Sequence, residues 1–407
     1  MSSILPKELQ QEIFERLPLK TLLRFKSVCK TWYYVFSHPL FVKMHRIRTI
    51  KKNNTKLVMV HYLIGENKRS AIYPMELEYN SLSSKLSPST GSPFGEVVEM
   101  DYLNLPSDSF ALLGSCDGLI CLLDTSLPSG EDDICFWNLS TKEYKKIPVP
   151  PYFKKSNTDQ GLYGLGYDDK IDDFKLVRVA EILTPCTRSD DGHVFEVSRF
   201  RPKSKVLISC FKSHSVVQIY TLGSNSWRFC QSQEMPYYFP GGTVPGVVVN
   251  GALHWCATNK RDNCEAIISF DMTNEIFKEV AKIGSMLHPI GHVSDSDTNH
   301  LAVLGGCVCV LHKTYDFKVD VWVMQEYGVN QWTKRFTITQ KSIAKTRRLR
   351  IVCEFQNNEI VFDTDDSLVY YDPNDNTEKK LKIPGTQILC GAEEYVPSLA
   401  PLATRFW

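Results

Sequence analysis

The sequence predicts an α+β multidomain protein, in which a small module of three helices precedes an all-β propeller with six blades. Three observations lead to this prediction. Helical periodicity is confined to the N-terminal segment that ends near residue 45. Later residues form short β-prone runs that recur, with their turns, at intervals of about 40–50 residues. At 407 residues, the chain also exceeds what one hydrophobic core normally serves. An array of β-sandwiches is the alternative, which the even spacing of the turns disfavours.

The helical module begins with an apolar stripe at every fourth position: Leu5, Leu9, Ile13 and Leu17. Pro6 suits a first helical position, where its missing N–H costs nothing. Pro18 ends this helix and opens the next. Apolar residues then continue at spacings of three and four from Leu22 to Val35, until His38-Pro39 stops the pattern.

A helical module of about 40 residues rarely buries a self-sufficient core. This one has no cysteine pair or metal-ligand cluster to hold it together. Its apolar face is therefore expected to need a partner; the alternative is a helical cap on the larger domain. The basic stretch 43–56 is interpreted as a solvated linker, with a nuclear-localisation signal as the alternative.

The β-prone part of the sequence predicts a series of β-hairpins. Asn250-Gly251 between two apolar runs is the strongest hairpin signal, and Gly305-Gly306 repeats it in the next unit. Six such units can be counted, beginning with KLVMVHYLI at residue 56. The run ILCGAEEYVPSL, starting at Ile388, is expected to close the ring against the first unit.

Loop lengths separate two faces of the predicted disc. The first and third turns of each unit are short, and the long segments all fall among the second turns and the connections between units. The long segments are 87–109, 124–133, 148–162, 182–205, 231–246, 282–299 and 337–349. Binding residues concentrate on loops held by a rigid scaffold, so target recognition is expected on the long-loop face. Tolerance of insertions at that face is the alternative.

Two segments of that face combine aromatic residues with arginine, the types that anchor protein interfaces. The candidate target-binding residues are Arg188, His193, Phe195, Arg199, Arg201, Tyr237, Tyr238 and Phe239. The aromatic residues could equally pack on a neighbouring blade. The basic run from Lys341 to Arg350 could bind an acidic partner or be solvated.

Composition excludes several function classes. The net charge of +1 gives no field that would favour nucleic acid or an anionic membrane. No apolar stretch approaches the roughly 18 residues of a transmembrane helix, and the N-terminus lacks the apolar region of a signal peptide. Thirteen cysteines without CxxC pairs indicate reduced thiols. A cytoplasmic or nuclear location is expected.

The sequence gives no catalytic site. The segment Gly114–Gly118 superficially fits a nucleophile elbow, but it joins two strands instead of a strand and a helix. A calcium-loop match starting at Asp295 fails at its sixth and twelfth positions. The acidic residues between Asp168 and Asp173 are interpreted as solvated turn formers, and His254 as a core or channel residue. No metal, cofactor or catalytic residue is predicted.

The helical module resembles an F-box. The resemblance rests on Leu5-Pro6, Glu8, Ile13, Leu17-Pro18, the KTLLRFKSVCKTW run ending at Trp32, and HPLF. The segment from Gly114 to Lys334 resembles the plant F-box-associated, kelch-related family. Its matching pieces are GSCDGLICL, ICFWNLSTKEYKKIP, GLGYDDKIDDFKLVRV, VQIYTLGSNSWR, NGALHW, IISFDMTNEIFKEV and DVWVMQEYGVNQW. The departures are Phe14 where many members carry Leu, Thr31 where Ser is common, and a short N-terminal lead.

This resemblance implies a non-catalytic adaptor of a Skp1–cullin ubiquitin ligase, which presents an unidentified protein for ubiquitination and proteasomal degradation. The implied Skp1-binding residues are Leu5, Pro6, Glu8, Ile13, Leu17, Pro18, Leu22, Cys29 and Trp32. The implied domains are an F-box (1–45), a basic linker (46–56), a kelch-like propeller (57–400) and a tail (401–407). Relatives act in defence signalling or pollen recognition, and the sequence does not choose between these pathways. The alternatives are a Skp1-bound scaffold outside a ligase and a propeller enzyme with a helical docking module.

Overall fold

A computed structural model describes most of the chain. The described residues are 7–52, 55–64, 69–78, 98–99, 110–124, 134–151, 161–185, 194–198, 208–230, 236–239, 245–283, 299–314, 316–355, 357–365, 367–381 and 388–402. Four helices come first, and strands make up nearly all the regular structure that follows.

The helices are α1 (Lys7–Glu15), α2 (Leu19–Lys26), α3 (Lys30–Ser37) and α4 (Pro39–Lys52). Pro18 is the N-cap of α2, and His38 is the C-cap of α3, as the sequence predicts. The structure adds α4, whose first residue is Pro39. A proline that ends one helix can begin another, because its fixed φ suits a first helical position. Residues 46–52, which the sequence predicted as part of the linker, are helical.

The strands form six antiparallel sheets. The first contains β1 (Thr55–Ile64), β2 (Arg69–Glu78), β3 (Val98–Glu99) and β26 (Ile388–Tyr395). The second contains β4 (Phe110–Cys116), β5 (Leu119–Asp124), β6 (Ile134–Asn138) and β7 (Glu143–Ile147). The third contains β8 (Leu162–Asp168), β9 (Asp173–Pro185), β10 (Val194–Ser198), β11 (Ile208–Thr221) and β12 (Ser226–Phe229).

Three further sheets follow along the chain. The fourth contains β13 (Tyr237–Tyr238), β14 (Val247–Val249), β15 (Ala252–Asn259), β16 (Glu265–Asp271) and β17 (Phe277–Lys282). The fifth contains β18 (Asn299–Leu304), β19 (Cys307–Lys313), β20 (Val319–Met324) and β21 (Trp332–Ile338). A short helix, α5 (Lys341–Ala344), precedes the sixth, which contains β22 (Arg350–Glu354), β23 (Ile360–Asp363), β24 (Leu368–Asp372) and β25 (Thr377–Leu381).

Five of these sheets, and not six as predicted, are blades built from consecutive strands of one stretch of chain. The first sheet is composite, because β26 pairs antiparallel with β1 and brings the two ends of the domain together. The predicted closing role of the C-terminal run is confirmed by this pairing. The composite sheet is narrow at its outer edge, where β3 has two residues.

The sheets are held together by apolar side chains packed between neighbours. Phe136, Leu165 and Leu176 belong to a buried cluster between the second and third sheets. Corresponding clusters join the third to the fourth, the fourth to the fifth and the fifth to the sixth sheets. This repeated pairing of sheet faces is the packing expected of a propeller.

Short turns define one face of the ring. The β4–β5 and β14–β15 turns have two residues each, and Asp117 and Asn250 in them adopt the left-handed conformation. The β18–β19 turn is the Gly305-Gly306 pair. Because alternate turns of an antiparallel blade lie on opposite sides, the longer β7–β8 and β21–β22 connections lie on the other face.

The acidic β8–β9 turn is solvated in part: Asp169 and Asp172 are exposed, as interpreted from the sequence, whereas Asp168 at the end of β8 is not. Asp168 is buried and accepts hydrogen bonds from Lys175 Nζ at 2.5 Å and Thr273 Oγ1 at 3.0 Å. Lys175 Nζ also donates to Met272 O and Glu275 Oε1, both at 2.7 Å. Burial acts to raise the pKa of Asp168, but the hydrogen bonds from Lys175, Lys170 and Thr273 outweigh it and lower that pKa. The cluster ties the third sheet to the fourth.

We predict that Lys175→Met lowers the free energy of unfolding by about 3 kcal/mol, because it leaves the Asp168 carboxylate buried without its cation. Urea denaturation of the purified chain measures this change. The double variant Asp168→Asn, Lys175→Met is expected to lose less than the single variant. A single variant as stable as the wild type would contradict a structural role for the pair.

His254 is buried in β15, as the sequence suggested, and both ring nitrogens have partners. Nε2 lies 2.7 Å from Tyr327 Oη, and Nδ1 lies 3.3 Å from Val247 O. Burial lowers the pKa of His254 to about 4. The folded chain therefore keeps this imidazole neutral at pH values where the unfolded chain protonates it.

The difference in pKa predicts a pH dependence. Between about pH 6.5 and pH 4 the unfolded state binds one more proton at this site, so stability falls as the pH falls. We expect His254→Gln to remove this contribution. The free energies of unfolding of wild type and variant should therefore converge by up to about 3 kcal/mol between pH 7 and pH 4. Urea titrations at several pH values test it, and parallel curves would contradict it.

Candidate protein-binding surfaces

The helical module has a small aromatic core. Leu22 and Phe36 have no exposed surface. The ring centroid of Phe36 lies 5.1 Å from that of Phe14, and Trp32 lies 4.9 Å from Phe25. Four helices of this length cannot enclose a larger hydrophobic core. For the same reason, the sequence predicted that the module needs a partner.

Part of that partner is the C-terminal segment of the same chain. Leu399 is 3% exposed and packs in the module's buried cluster with Leu22, Phe36, Phe41 and Val42. Nothing in the sequence indicated this contact, because Leu399 is separated from the helices by the whole propeller. The structure thus places residue 399, predicted as part of the propeller, in the core of the helical module as well.

Hydrogen bonds fix the same segment on the propeller. The buried side chain of Asn138 donates from Nδ2 to Ser398 O at 3.1 Å and to Ala400 O at 2.8 Å. Gly118, at a φ of +86°, makes room for it, since a Cβ there would lie 2.6 Å from Val396 O. Leu402 then packs in the cluster between the second and third sheets. Residues 396–402, which we call the C-terminal strap, therefore touch both parts of the chain.

Helix α4 forms the other half of this junction. Arg46 Nη1 lies 3.1 Å from Asp117 Oδ2, and its guanidinium lies 4.2 Å from the ring centroid of Tyr167. Lys43 Nζ lies 3.4 Å from Asp172 and 3.7 Å from Asp169. These carboxylates belong to the β4–β5 and β8–β9 turns, so the helical module sits on the short-turn face. The opposite, long-loop face is left for other partners.

The module exposes much of its apolar surface. Nine of the eighteen large hydrophobic side chains that are exposed in the described chain lie between Leu9 and Ile47. They are Leu9, Ile13, Val28, Tyr33, Tyr34, Val35, Leu40, Met44 and Ile47. An exposed apolar area of this kind marks a protein-interaction site.

The predicted Skp1-binding residues divide into three groups. Ile13, Pro18 and Cys29 are exposed, and Leu17 and Trp32 are half-buried. Leu22 is fully buried among the helices, so its side chain has no surface exposed to a partner in this structure. It lies on the stripe that faces the other helices, and periodicity does not separate core from interface. Leu5 and Pro6 lie outside the described residues, as does the side chain of Glu8. Sequence reasoning missed Tyr33 and Tyr34, which lie off the core stripe of α3.

The predicted target-binding residues are described only in part. Phe195 belongs to β10, beside the start of β11 on the long-loop side, while Arg188, His193, Arg199 and Arg201 lie outside the described residues. The aromatic trio is described and is half-buried. Tyr237 Oη donates to Glu279 at 2.6 Å, Tyr238 stacks under Lys260, and Phe239 packs with the apolar cores of the third and fourth sheets. The side chains of Tyr237, Tyr238 and Phe239 are therefore used mainly for contacts within the propeller.

The basic run after β21 is also largely structural. Arg348 and Arg350 form ion pairs with Asp363 and Glu393, and Ile343 and Leu349 have no exposed surface. Glu393 also accepts a hydrogen bond from Ser115 at 2.6 Å, which links the sixth sheet, β26 and β4. Within this run, Lys341, Lys345 and Arg347 remain exposed.

The Gly114–Gly118 segment is a hairpin and presents no activated thiol. Burial and the Asp117 carboxylate raise the pKa of Cys116 well above its ordinary value, so the group is a neutral thiol near pH 7. Burial also raises the pKa of Asp117, against the effect of Arg46. Within the described ranges, no group of three His, Cys, Asp or Glu side chains has a geometry that could hold a metal ion. None of the described helices is long and apolar enough to cross a membrane.

We predict that Leu399→Ala opens the helical module locally by about 3 kcal/mol, since it empties a place in a small core. Hydrogen exchange of the α2 and α3 amides in the full chain measures this. Leu402→Ala is the matched control, three residues along the same strap, and is expected to loosen the second and third sheets instead. Equal exchange in the helices of both variants would contradict the contact.

Comparisons with known proteins agree with this two-part organisation. Residues 2–43 match the F-box domain model, and residues 67–402 match the model of the F-box associated beta propeller domain. The F-box protein CPR1 of Arabidopsis thaliana is 24% identical over 97% of this chain and 88% of its own length. An F-box/kelch-repeat protein of the same plant is 27% identical over 82% of this chain and 79% of its own length. A chain of the nidogen/laminin complex aligns with 84% of this chain and 99% of its own at a TM-score of 0.46 and 11% identity.

Proposed function

Because the chain belongs to the F-box proteins with an F-box-associated β-propeller domain, we propose that it is the substrate-recognition subunit of a Skp1–cullin–F-box ubiquitin ligase. The helical module binds Skp1 and, through it, cullin. The propeller holds a target protein, which is ubiquitinated and then degraded by the proteasome. The chain itself performs no catalytic step.

One observation carries the proposal: the helical module is fixed on the short-turn face and still exposes nine large apolar side chains. A surface of that kind fits a stable protein partner. The long-loop face points the other way and is open to a second protein. An adaptor needs both surfaces at once.

The mechanism is one of proximity. A target held on the long-loop face is presented at a high effective concentration to the conjugating enzyme that the ligase carries. A rigid connection between the helical module and the propeller increases this effective concentration, because a flexible one would spread the target lysines over a larger volume. The strap and the ion pairs of α4 supply that rigidity here. We place this activity in the cytoplasm or nucleus, since ten cysteines of the described chain are free thiols, which suit a reducing compartment.

We predict that Ile13→Asp weakens the affinity for purified Skp1 at least tenfold, because it places a charge in the exposed apolar surface. Isothermal titration with the full chain measures it. Ile276→Asp is the matched control, since Ile276 is 51% exposed on the propeller and Ile13 is 46% exposed on α1. Wild-type affinity of the Ile13→Asp variant would argue against the proposed surface.

A cellular measurement separates an adaptor from a Skp1-bound scaffold outside a ligase. Proteins that the wild type and Ile13→Asp both retain under proteasome inhibition are the target candidates. An adaptor's target should persist longer in cells that express the Ile13→Asp variant. An unchanged lifetime of every shared partner would favour the scaffold.

A further inference from the structure

The long-loop face carries an exposed aromatic residue in a strained backbone conformation. Phe317, in the β19–β20 turn, is 61% exposed and has a φ of +57°. Ten non-glycine residues of the described chain have a positive φ; seven are Asn or Asp, and Phe317 is the aromatic one. A bulky residue in this region is a genuine outlier. Such strain persists where it serves a function.

The turn holds Phe317 in place. The backbone N–H of Phe317 donates to Thr314 O at 3.1 Å, and that of Thr314 donates to Lys318 O at 2.9 Å. Asp316 closes the turn through Lys318 Nζ at 2.6 Å. The ring is therefore exposed to solvent from a residue whose own backbone is hydrogen-bonded. An anchor of this kind loses little entropy on binding.

One cationic side chain lies against the ring, and others belong to the same stretch of chain. Lys345 Nζ lies 5.2 Å from the Phe317 ring centroid, and Lys313 Nζ donates to Arg347 O at 2.8 Å. The β19–β20 turn and the segment after α5 thus form one surface. Lys341 lies one helical turn before Lys345 and is also exposed.

The segment that carries these cations is itself rigid. The Asp365 carboxylate accepts the backbone N–H groups of Arg347 and Arg348, both at 2.7 Å. Thr346 is buried and accepts the Asp365 N–H at 2.9 Å, so the side chains alternate between core and solvent. Lys345 and Arg347 point outward. The carboxylates around these cations are bonded to other groups: Asp316 to Lys318, Asp365 to the two backbone N–H groups, and Glu378 to the Ser342 hydroxyl. The exposed charges of Lys341, Lys345 and Arg347 are therefore the ones that this surface offers to an anionic partner.

We propose that Phe317, Lys341, Lys345 and Arg347 form a docking surface for an acidic segment of the target protein that carries an apolar side chain. The apolar side chain packs on Phe317, and carboxylates pair with Lys345 and Arg347. This inference rests on the proposed function, for which it supplies the target site. A nucleic acid is disfavoured, because the chain as a whole carries a net charge of only +1.

A displayed library of random 12-residue peptides, selected on the full-length chain, tests the docking surface. We expect enriched peptides with net negative charge and an aromatic or aliphatic residue. Their affinity should fall at least tenfold in Lys345→Glu, Arg347→Glu and about tenfold in Phe317→Asn. The control Lys142→Glu, Lys170→Glu, on the short-turn face, should bind as the wild type does. No enrichment, enrichment without acidic residues, or equal binding to the charge-reversed variant would overturn the proposal.

Two further readouts sharpen the test. Asn tolerates the left-handed conformation, so Phe317→Asn should unfold at the wild-type urea concentration or higher; a clear loss of stability would give Phe317 a structural role and overturn the proposal. Displacement of the selected peptides by duplex DNA, at concentrations where poly-glutamate has no effect, would also overturn it. Skp1 titration of the same variants separates the two proposals: loss of peptide binding with intact Skp1 binding concerns this surface, whereas a wild type that fails to bind Skp1 contradicts the proposed function.

Discussion

The C-terminal end of the chain is the constraint on which both parts of the molecule depend. Strand β26 pairs with β1 and joins the last complete blade to the first sheet. The strap that follows inserts Leu399 into the helical core and is held on the propeller by Asn138. A propeller with an unpaired edge strand and a helical module of this size are each marginal alone. Residues 388–402 remove both weaknesses, because they pair with β1 and also complete the core of the helical module.

This junction also sets the relation between the two binding surfaces. The ion pairs of Lys43 and Arg46 reach turns of the second and third sheets, which places the helices on the short-turn face. Partly buried ion pairs contribute little net free energy but fix the orientation of the helices. The apolar side chains of the C-terminal strap supply the packing. The helical module therefore occupies the short-turn face of the ring. Side chains on the long-loop face remain available because the helices cannot reach them.

Much of the fold could be predicted from local sequence patterns. The α1 stripe, the role of Pro18 and the Asn250-Gly251 hairpin could be predicted, because helix periodicity and turn chemistry depend on near neighbours in the sequence. The recurrence of hairpins predicted a ring and its closure by the last strand. The end of the helical pattern at His38-Pro39 was predicted correctly, but the sequence did not indicate that Pro39 begins a further helix, α4. The blade count differed because only five blades come from continuous stretches.

The sequence by itself determined the family, the order of the two parts and the face that carries long loops. Only the tertiary structure decided which apolar residues are core and which are surface: Leu22 is buried, while Tyr34 is exposed. It likewise turned Asp168 from a solvated turn residue into the partner of Lys175, and it brought Leu399 to the helices and Lys345 to Phe317. Leu399 and Lys345 belong to other elements than the residues they contact, and Asp168 is buried because the third sheet packs on the fourth. Such contacts depend on how the elements pack together, which no local pattern of residues encodes.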